Sequence, residues 1–395
     1  DSATPPLPPE TLRLLVFVRR FVGAAGGLEG SAVSLCRALA RLGHEVHVLA
    51  DQAEAEDEDG VHVHDDGLQQ RAVIEGRVLP DLCIDWGFYH PAHVHRLGQG
   101  THESFMQWNL DAYRGPARWL KKLKYLGFKH RAIVARQKAL LRNPEAHFLA
   151  NSTFTADMAR RAGAKPDRVT VKHNGVDTER FSPENALPHR DQVRREWGVA
   201  DDEVAFLFVA HNPRLKNLRL LLDVLPATRP AKTKLVVAGR RIPGHAAAPW
   251  LHYAGQTDHM ERFYAAADAL LHPTFFDSCA NVVLEAMSCA RPVVVSDTAG
   301  VDEIITPNHD GLVLAVRGTG HADNWRQAIR QLAEDPERRR ELGRHARQCA
   351  LKHDFPSYVQ WVDQYLKTTW CAVEAERRQR EADLARTAAQ PDPKR

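Results

Sequence analysis

From residue 12 onward, short apolar runs alternate with longer amphipathic stretches, and the hydrophobic period moves between strand-like and helix-like values. Residues 12–18 read as a buried strand. A glycine-bearing loop, Gly23-Ala24-Ala25-Gly26-Gly27, follows, and residues 29–42 then read as a helix stopping at Gly43. Valines alternate through residues 45–50, the next strand. Strand, loop, helix and strand make a βαβ unit, which implies a parallel sheet. Residues 51–59 are acidic and predict a solvated loop, whereas 82–85, 94–97 and 147–150 predict further strands.

A second run of the same kind begins after the turn Asn174-Gly175-Val176-Asp177 and Pro183. It predicts strands at 204–209, 234–238, 269–272 and 292–296, and helices at 218–225, 260–267 and 280–289. The expected fold class is therefore α/β, with two Rossmann-like domains facing across a cleft. The first spans residues 11–182 and the second 183–354. Ligands of such sheets bind beyond the carboxyl ends of the strands.

Composition adds limits rather than a function. The 395 residues are 44% hydrophobic and 26% charged, and 53 basic residues nearly cancel 50 acidic ones, so net charge singles out no partner. No apolar run is long enough to span a bilayer. Residues 1–10 are Pro-rich and acidic, which does not read as a secretory signal. The six cysteines form no C-x-x-C pair and read as free thiols of a reducing compartment. The sequon Asn151-Ser152-Thr153 is accordingly expected to stay unmodified, and the expected location is cytoplasmic.

The segment His272-Pro273-Thr274-Phe275-Phe276-Asp277-Ser278-Cys279-Ala280-Asn281-Val282-Val283-Leu284-Glu285-Ala286-Met287 carries the strongest chemical signal. A strand ends in a proline-kinked loop, and a helix starts near Ala280. The backbone N–H groups of Ser278, Cys279, Ala280, Asn281 and Val282 then sit at the positive end of the helix dipole, where a diphosphate is stabilised. Glu285, a turn further on, can accept hydrogen bonds from a ribose diol, and Asp277 can accept them from sugar hydroxyls. A bare pair of acids at this spacing recurs by chance, and the ordinary reading is a βα turn with two surface acids. The setting of strand, His-Pro loop and apolar helix gives the pair its weight.

These residues resemble the retaining family-4 glycosyltransferases of GT-B fold, whose motif carries two acids separated by seven residues. Asp277 stands at the first acid and Glu285 at the second, with Pro292-Val293-Val294 following. Asp277 is shorter than the usual Glu, and Asn281 and Ala290 replace common glycines. The resemblance runs over residues 12–370 and is nearest the lipopolysaccharide-core α-glucosyltransferase subgroup, through Pro-Thr-Phe-Phe-Asp-Ser-Cys and Arg-Leu-Gly-Gln-Gly-Thr-His. It implies that a helix near 355–372 crosses back to complete the first domain, leaving 373–395 as a charged tail.

Three further elements gain roles from the same resemblance. In His211-Asn212-Pro213-Arg214-Leu215-Lys216, two cations on a loop after a strand can clamp a leaving pyrophosphate, and Arg214 and Lys216 match the family's pair. Gly26 and Gly27 match a loop facing the donor phosphates and the acceptor, although alone they read as a turn. His102, after Gly98-Gln99-Gly100-Thr101, matches the histidine that contacts the donor sugar. The histidine-rich stretch Asp85, His90, His93 and His95 admits a metal reading, but a strand at 94–97 sends neighbours to opposite faces, and structural histidines are the plainer account.

Between Arg114 and Arg142 lie ten Lys or Arg and no Asp or Glu, interleaved with Trp119, Leu120, Leu123, Leu126 and Phe128. A solvated face and a nucleic-acid patch share this pattern. No nucleic-acid motif accompanies it, and docking on an anionic membrane is the reading adopted.

The resemblance implies a hexosyl transfer, from UDP-glucose, onto a lipopolysaccharide-core or related lipid-linked glycan at the inner face of the cell membrane. Neither cofactor nor metal enters, and a front-side attack passes the acceptor proton to the leaving phosphate. Alternatives are another donor (GDP-mannose or UDP-N-acetylglucosamine), an epimerase or phosphorylase of the same architecture, and a catalytically weak membrane-bound homologue. A dinucleotide oxidoreductase lacks its glycine fingerprint here.

Overall fold

The computed structural model describes residues 6–22, 28–54, 60–65, 67–88, 90–228, 232–242 and 248–389. Two parallel sheets carry the fold. The first contains β1 (Arg13–Phe21), β2 (Glu45–Ala53), β3 (Val61–His64), β4 (Leu82–Asp85), β5 (Val94–Leu97), β6 (His147–Ala150) and β7 (Val169–Val171). Its order is β3-β2-β1-β4-β5-β6-β7. The second contains β8 (Val204–Ala210), β9 (Thr233–Gly239), β10 (Leu251–Gly255), β11 (Ala269–His272), β12 (Val293–Ser296) and β13 (Leu312–Leu314), ordered β10-β9-β8-β11-β12-β13. Helices cover both faces, so central strands such as β8 and β11 are buried along their length and read as unbroken apolar runs. Strand order reverses beside β1 and beside β8, and loops leaving those crevices are where ligands of such sheets lie.

Two expectations shift. The acidic stretch after residue 50 begins as strand, because β2 runs on to Ala53 beside Phe21 of β1; residues 55–59 lie outside the described residues. The passage between domains comes ahead of residue 182, because Val176, Phe181 and Ala186 already pack in the second domain's core. The chain returns through the helix Phe355–Ala389, which continues well past residue 372. Its Tyr358, Val359, Val362 and Leu366 enter the first domain's core beside Leu12, Leu14 and Val16. Outgoing and returning passages lie side by side: the Val176 N–H donates to the His353 carbonyl and the Phe355 N–H to the Val176 carbonyl, each at 2.9 Å.

Candidate active site between the two sheets

The carboxyl end of β11 feeds the loop 273–280 and then the helix Asn281–Ser288. Ala280 occupies the position before the first turn, and no side chain caps it, so the helix meets the cleft with its leading N–H groups free of a side-chain acceptor. Asp277 is held in the loop. Its backbone N–H donates to the Thr298 carbonyl at 3.1 Å, and its Oδ2 accepts from Lys216 Nζ and from His272 Nε2, the latter at 3.2 Å. Burial works against an ionised Asp277, but the Lys216 charge and the two hydrogen bonds outweigh it and hold the carboxyl well below the usual range. His272 is buried, its Nδ1 has no partner among the described residues, and burial lowers its pKa.

Glu285 takes a hydrogen bond on Oε2 from the Tyr264 hydroxyl at 2.7 Å; Oε1 accepts none among the described residues. Burial raises its pKa, against the pull of Tyr264 and of Arg180. Arg180 itself pairs with Glu261 at 3.0 Å. Cys279 is buried and burial pushes its thiol up to about 12, so only its backbone can serve an anion.

The first domain reaches into the same loop. Ser278 Oγ donates to the Gly98 carbonyl at 2.5 Å and accepts from Asn151 Nδ2 at 3.1 Å. Arg96 Nη2 donates to Asn174 Oδ1 at 2.6 Å, and Asn174 Nδ2 donates in turn to Asn281 Oδ1 at 2.7 Å. Ser278 and Asn281, both expected at the phosphate cradle, thus spend their side chains on the opposite domain. Asn151, the acceptor of the sequon, is buried in that contact. Phe276 meets Phe105 and Phe154 of the first domain at centroid distances of 6.1 and 5.8 Å.

Two expected cations part company. Lys216 joins Asp277, whereas Arg214 is exposed with its guanidinium 4.9 Å from the Tyr113 ring centroid. His102 opens the helix His102–Asn109, four residues after the Gly98 carbonyl that Ser278 contacts, and Thr101 caps that helix. Its Nε2 lies 2.9 Å from His130 Nδ1, and burial followed by His130 lowers its pKa. Gly26 and Gly27 lie outside the described residues. The histidine stretch separates: buried His95 pairs with Asp85 at 3.3 Å, while His93 Nδ1 accepts from the Cys83 N–H at 2.9 Å. Among the described residues no group of three His, Cys, Asp or Glu is placed to hold a metal.

The two halves of the chain match separate family models: residues 25–180 match "Glycosyltransferase Family 4", and residues 203–335 match "Glycosyl transferases group 1". The chain carries the features of a GT-B glycosyltransferase. Among curated relatives, the D-inositol 3-phosphate glycosyltransferase of Pseudarthrobacter chlorophenolicus is 26% identical over 220 residues, 51% of this chain and 50% of the relative. The chain spans about half the length of the first such relatives it matches. Its fold is that of WaaG, a glycosyltransferase involved in lipopolysaccharide biosynthesis, at 17% identity and a TM-score of 0.72 over 88% of this chain and 98% of that one. HepE of Anabaena, solved in complex with UDP-glucose, is similar at 16% identity and a TM-score of 0.69, covering 90% of this chain and 100% of HepE.

Tyr264, His130, Asn174 and Glu303 join His272 in this candidate site without any sequence signal of their own. Tyr264, His130 and Asn174 touch Glu285, His102 and Asn281 directly. Glu303 accepts from the Thr153 and Phe154 N–H groups at 2.7 Å each and so ties the second domain to the start of the helix Thr153–Arg161. No local pattern encodes such contacts.

Proposed function

We propose that this chain is a retaining glycosyltransferase that moves a hexose, glucose from UDP-glucose, onto a lipid-linked or related glycan acceptor. One observation carries the reading: an uncapped helix start, Asp277 and Glu285 share one loop-and-helix unit beside the strand-order switch, and Lys216 from the loop after β8 pairs with Asp277. In this reading the diphosphate takes the N–H groups of residues 278–282 and the charge of Lys216. Arg214 leaves the Tyr113 ring to join them. Glu285 Oε1 accepts from the ribose, with Tyr264 fixing the carboxylate. His102 meets the sugar, and Asp277 its hydroxyls.

Transfer proceeds by front-side attack, the leaving phosphate taking the acceptor proton, with cationic side chains and N–H dipoles in place of a metal. Because Ser278 and Asn281 are paired across the cleft, donor entry requires the domains to part and those pairs to exchange.

The acceptor side rests on the basic helices Gly115–Tyr125 and Phe128–Leu141. Trp119, Leu120, Leu126 and Phe128 are 60 to 87% exposed there, an apolar patch among cations that suits an anionic lipid surface at the inner face of the membrane. No helix among the described residues is long and apolar enough to cross a membrane, so this attachment is peripheral. The names of the curated relatives favour a second acceptor, a phosphorylated polyol such as inositol 3-phosphate.

Thermal-shift screening of UDP- and GDP-sugars, followed by transfer assays with a lipid-linked glycan and with inositol 3-phosphate, separates these cases. Stabilisation by UDP-glucose and product from the glycan are expected. A chain stabilised by no nucleotide-sugar would end the transferase reading.

A further inference from the structure

The helix Phe128–Leu141 supports the helix His102–Asn109 at three points. Gln137 is buried, and its Oε1 accepts from the His102 backbone N–H at 2.7 Å. Lys138 Nζ lies 2.9 Å from the Glu103 carboxylate. The third contact joins side chain to side chain: His130 Nδ1 stands 2.9 Å from His102 Nε2, with the rings inclined by only 9° and their centroids 5.2 Å apart.

His130 is itself held. The Tyr125 ring meets it edge-on at 5.0 Å and 86°. The Tyr125 hydroxyl accepts from Asn109 Nδ2 at 2.5 Å, and Lys121 Nζ lies 4.9 Å from that ring's centroid.

Gln137 and Lys138 suffice to seat the first turn. The ring-to-ring hydrogen bond adds what they cannot. A neutral imidazole has one donor and one acceptor nitrogen, and committing one of them sets the role of the other. Burial and the surrounding Lys121, Lys124 and Lys129 lower the pKa of His130, so the pair is expected to stay neutral near pH 7.

We propose that His130 is a positioning residue. Through its Nδ1 it fixes the ring plane of His102 and couples that ring's tautomer to its own, so that His102 Nδ1 meets the donor sugar in one orientation. This rests on the reading of His102 as a sugar contact. It also makes the basic helix part of the site as well as a surface.

The test compares His130→Ala, His130→Asn, His130→Gln and His102→Ala. Asparagine places a polar atom near the position of Nδ1, whereas glutamine places one near Nε2. Two readouts are taken: transfer kinetics with UDP-glucose, and the imidazole nitrogen shifts of His102 in 15N-labelled protein.

His130→Ala is expected to lower kcat roughly tenfold, the worth of one hydrogen bond, with KM for the donor nearly unchanged. The His102 Nε2 shift should move towards that of a solvent-exposed imidazole. His130→Asn should restore both readouts, and His130→Gln neither. On a His102→Ala background, removing His130 should have no further effect on kcat. Unchanged His102 shifts in His130→Ala overturn the proposal, as does an equal loss of kcat in the alanine and asparagine variants. Should the wild-type chain turn over no nucleotide-sugar, the functional reading falls by itself, and the nitrogen shifts still decide whether His130 holds the His102 ring.

Discussion

Asp277 and Glu285 occupy matching places in a motif yet live in opposite electrostatic surroundings. Lys216 and His272 hold Asp277 ionised, while burial makes ionised Glu285 costly. A carboxyl with a depressed pKa contributes stability that is fully present above its unfolded value of about 4 and is lost as pH falls below it. Asp277→Asn should therefore flatten the fall in Tm between pH 4 and pH 2; an unaltered slope would remove the ion pair from the account. Replacing Glu285 with Ala should weaken UDP-sugar binding by about 10 to 100 fold in calorimetry, the cost of one hydrogen bond to a charged group. Glu285→Gln keeps an acceptor for the Tyr264 hydroxyl and should lose less. The motif was legible because strand, loop, acid and helix follow each other within a few turns. The groups that tune it were not: Tyr264 is 21 residues from Glu285 and Asn174 is 107 from Asn281, and only the folded sheet brings them together.

Among the elements, strands β4, β5, β6 and β11 fall where the apolar runs place them, whereas β3, β7, β10 and β13 leave no such trace. These four are the outermost strands of the two sheets. An edge strand is half solvated, with burial falling away along β10 and β13, and so lacks the continuous apolar run that betrays a central strand. The basic helices show the converse, with apolar side chains that the fold leaves uncovered. Leu126→Ser together with Phe128→Ser should change stability by less than about 1 kcal/mol while reducing co-sedimentation with phosphatidylglycerol vesicles. Binding insensitive to both the pair and to salt would exclude this face. The single-turn helix Val301–Ile304 holds Asp302, which burial and then Glu303 raise to about 6. Its folded pKa exceeds the unfolded one, so stability falls as pH rises from about 4 to 6. Asp302→Asn should raise Tm at pH 7.5 and leave it little changed at pH 4, as read by calorimetry.

At the scale of the molecule, polar ties join the domains beside the apolar contact of Phe276 with Phe105 and Phe154. Glu303 reaches the Thr153 and Phe154 N–H groups, and Arg317 pairs with Asp111 at 2.8 Å while lying 3.8 Å from the Trp108 ring centroid. Gly300, at φ +59°, passes so near the Ser278 carbonyl that an added Cβ would stand 1.9 Å from its oxygen. Glu303→Ala should enlarge the radius of gyration measured by X-ray scattering without nucleotide, and UDP-sugar should restore compactness; equal radii would deny that tie a role. The two adjoining chain passages constrain how such opening proceeds. Segments hydrogen-bonded at Val176, His353 and Phe355 define a line, and a body attached along a line swings about one axis instead of wandering on a tether. Gly175 sits on that line, with room for no Cβ beside Tyr358 and Phe355. A larger residue there would tilt the axis itself and misalign strand ends that no substitution in the cleft could bring back into register.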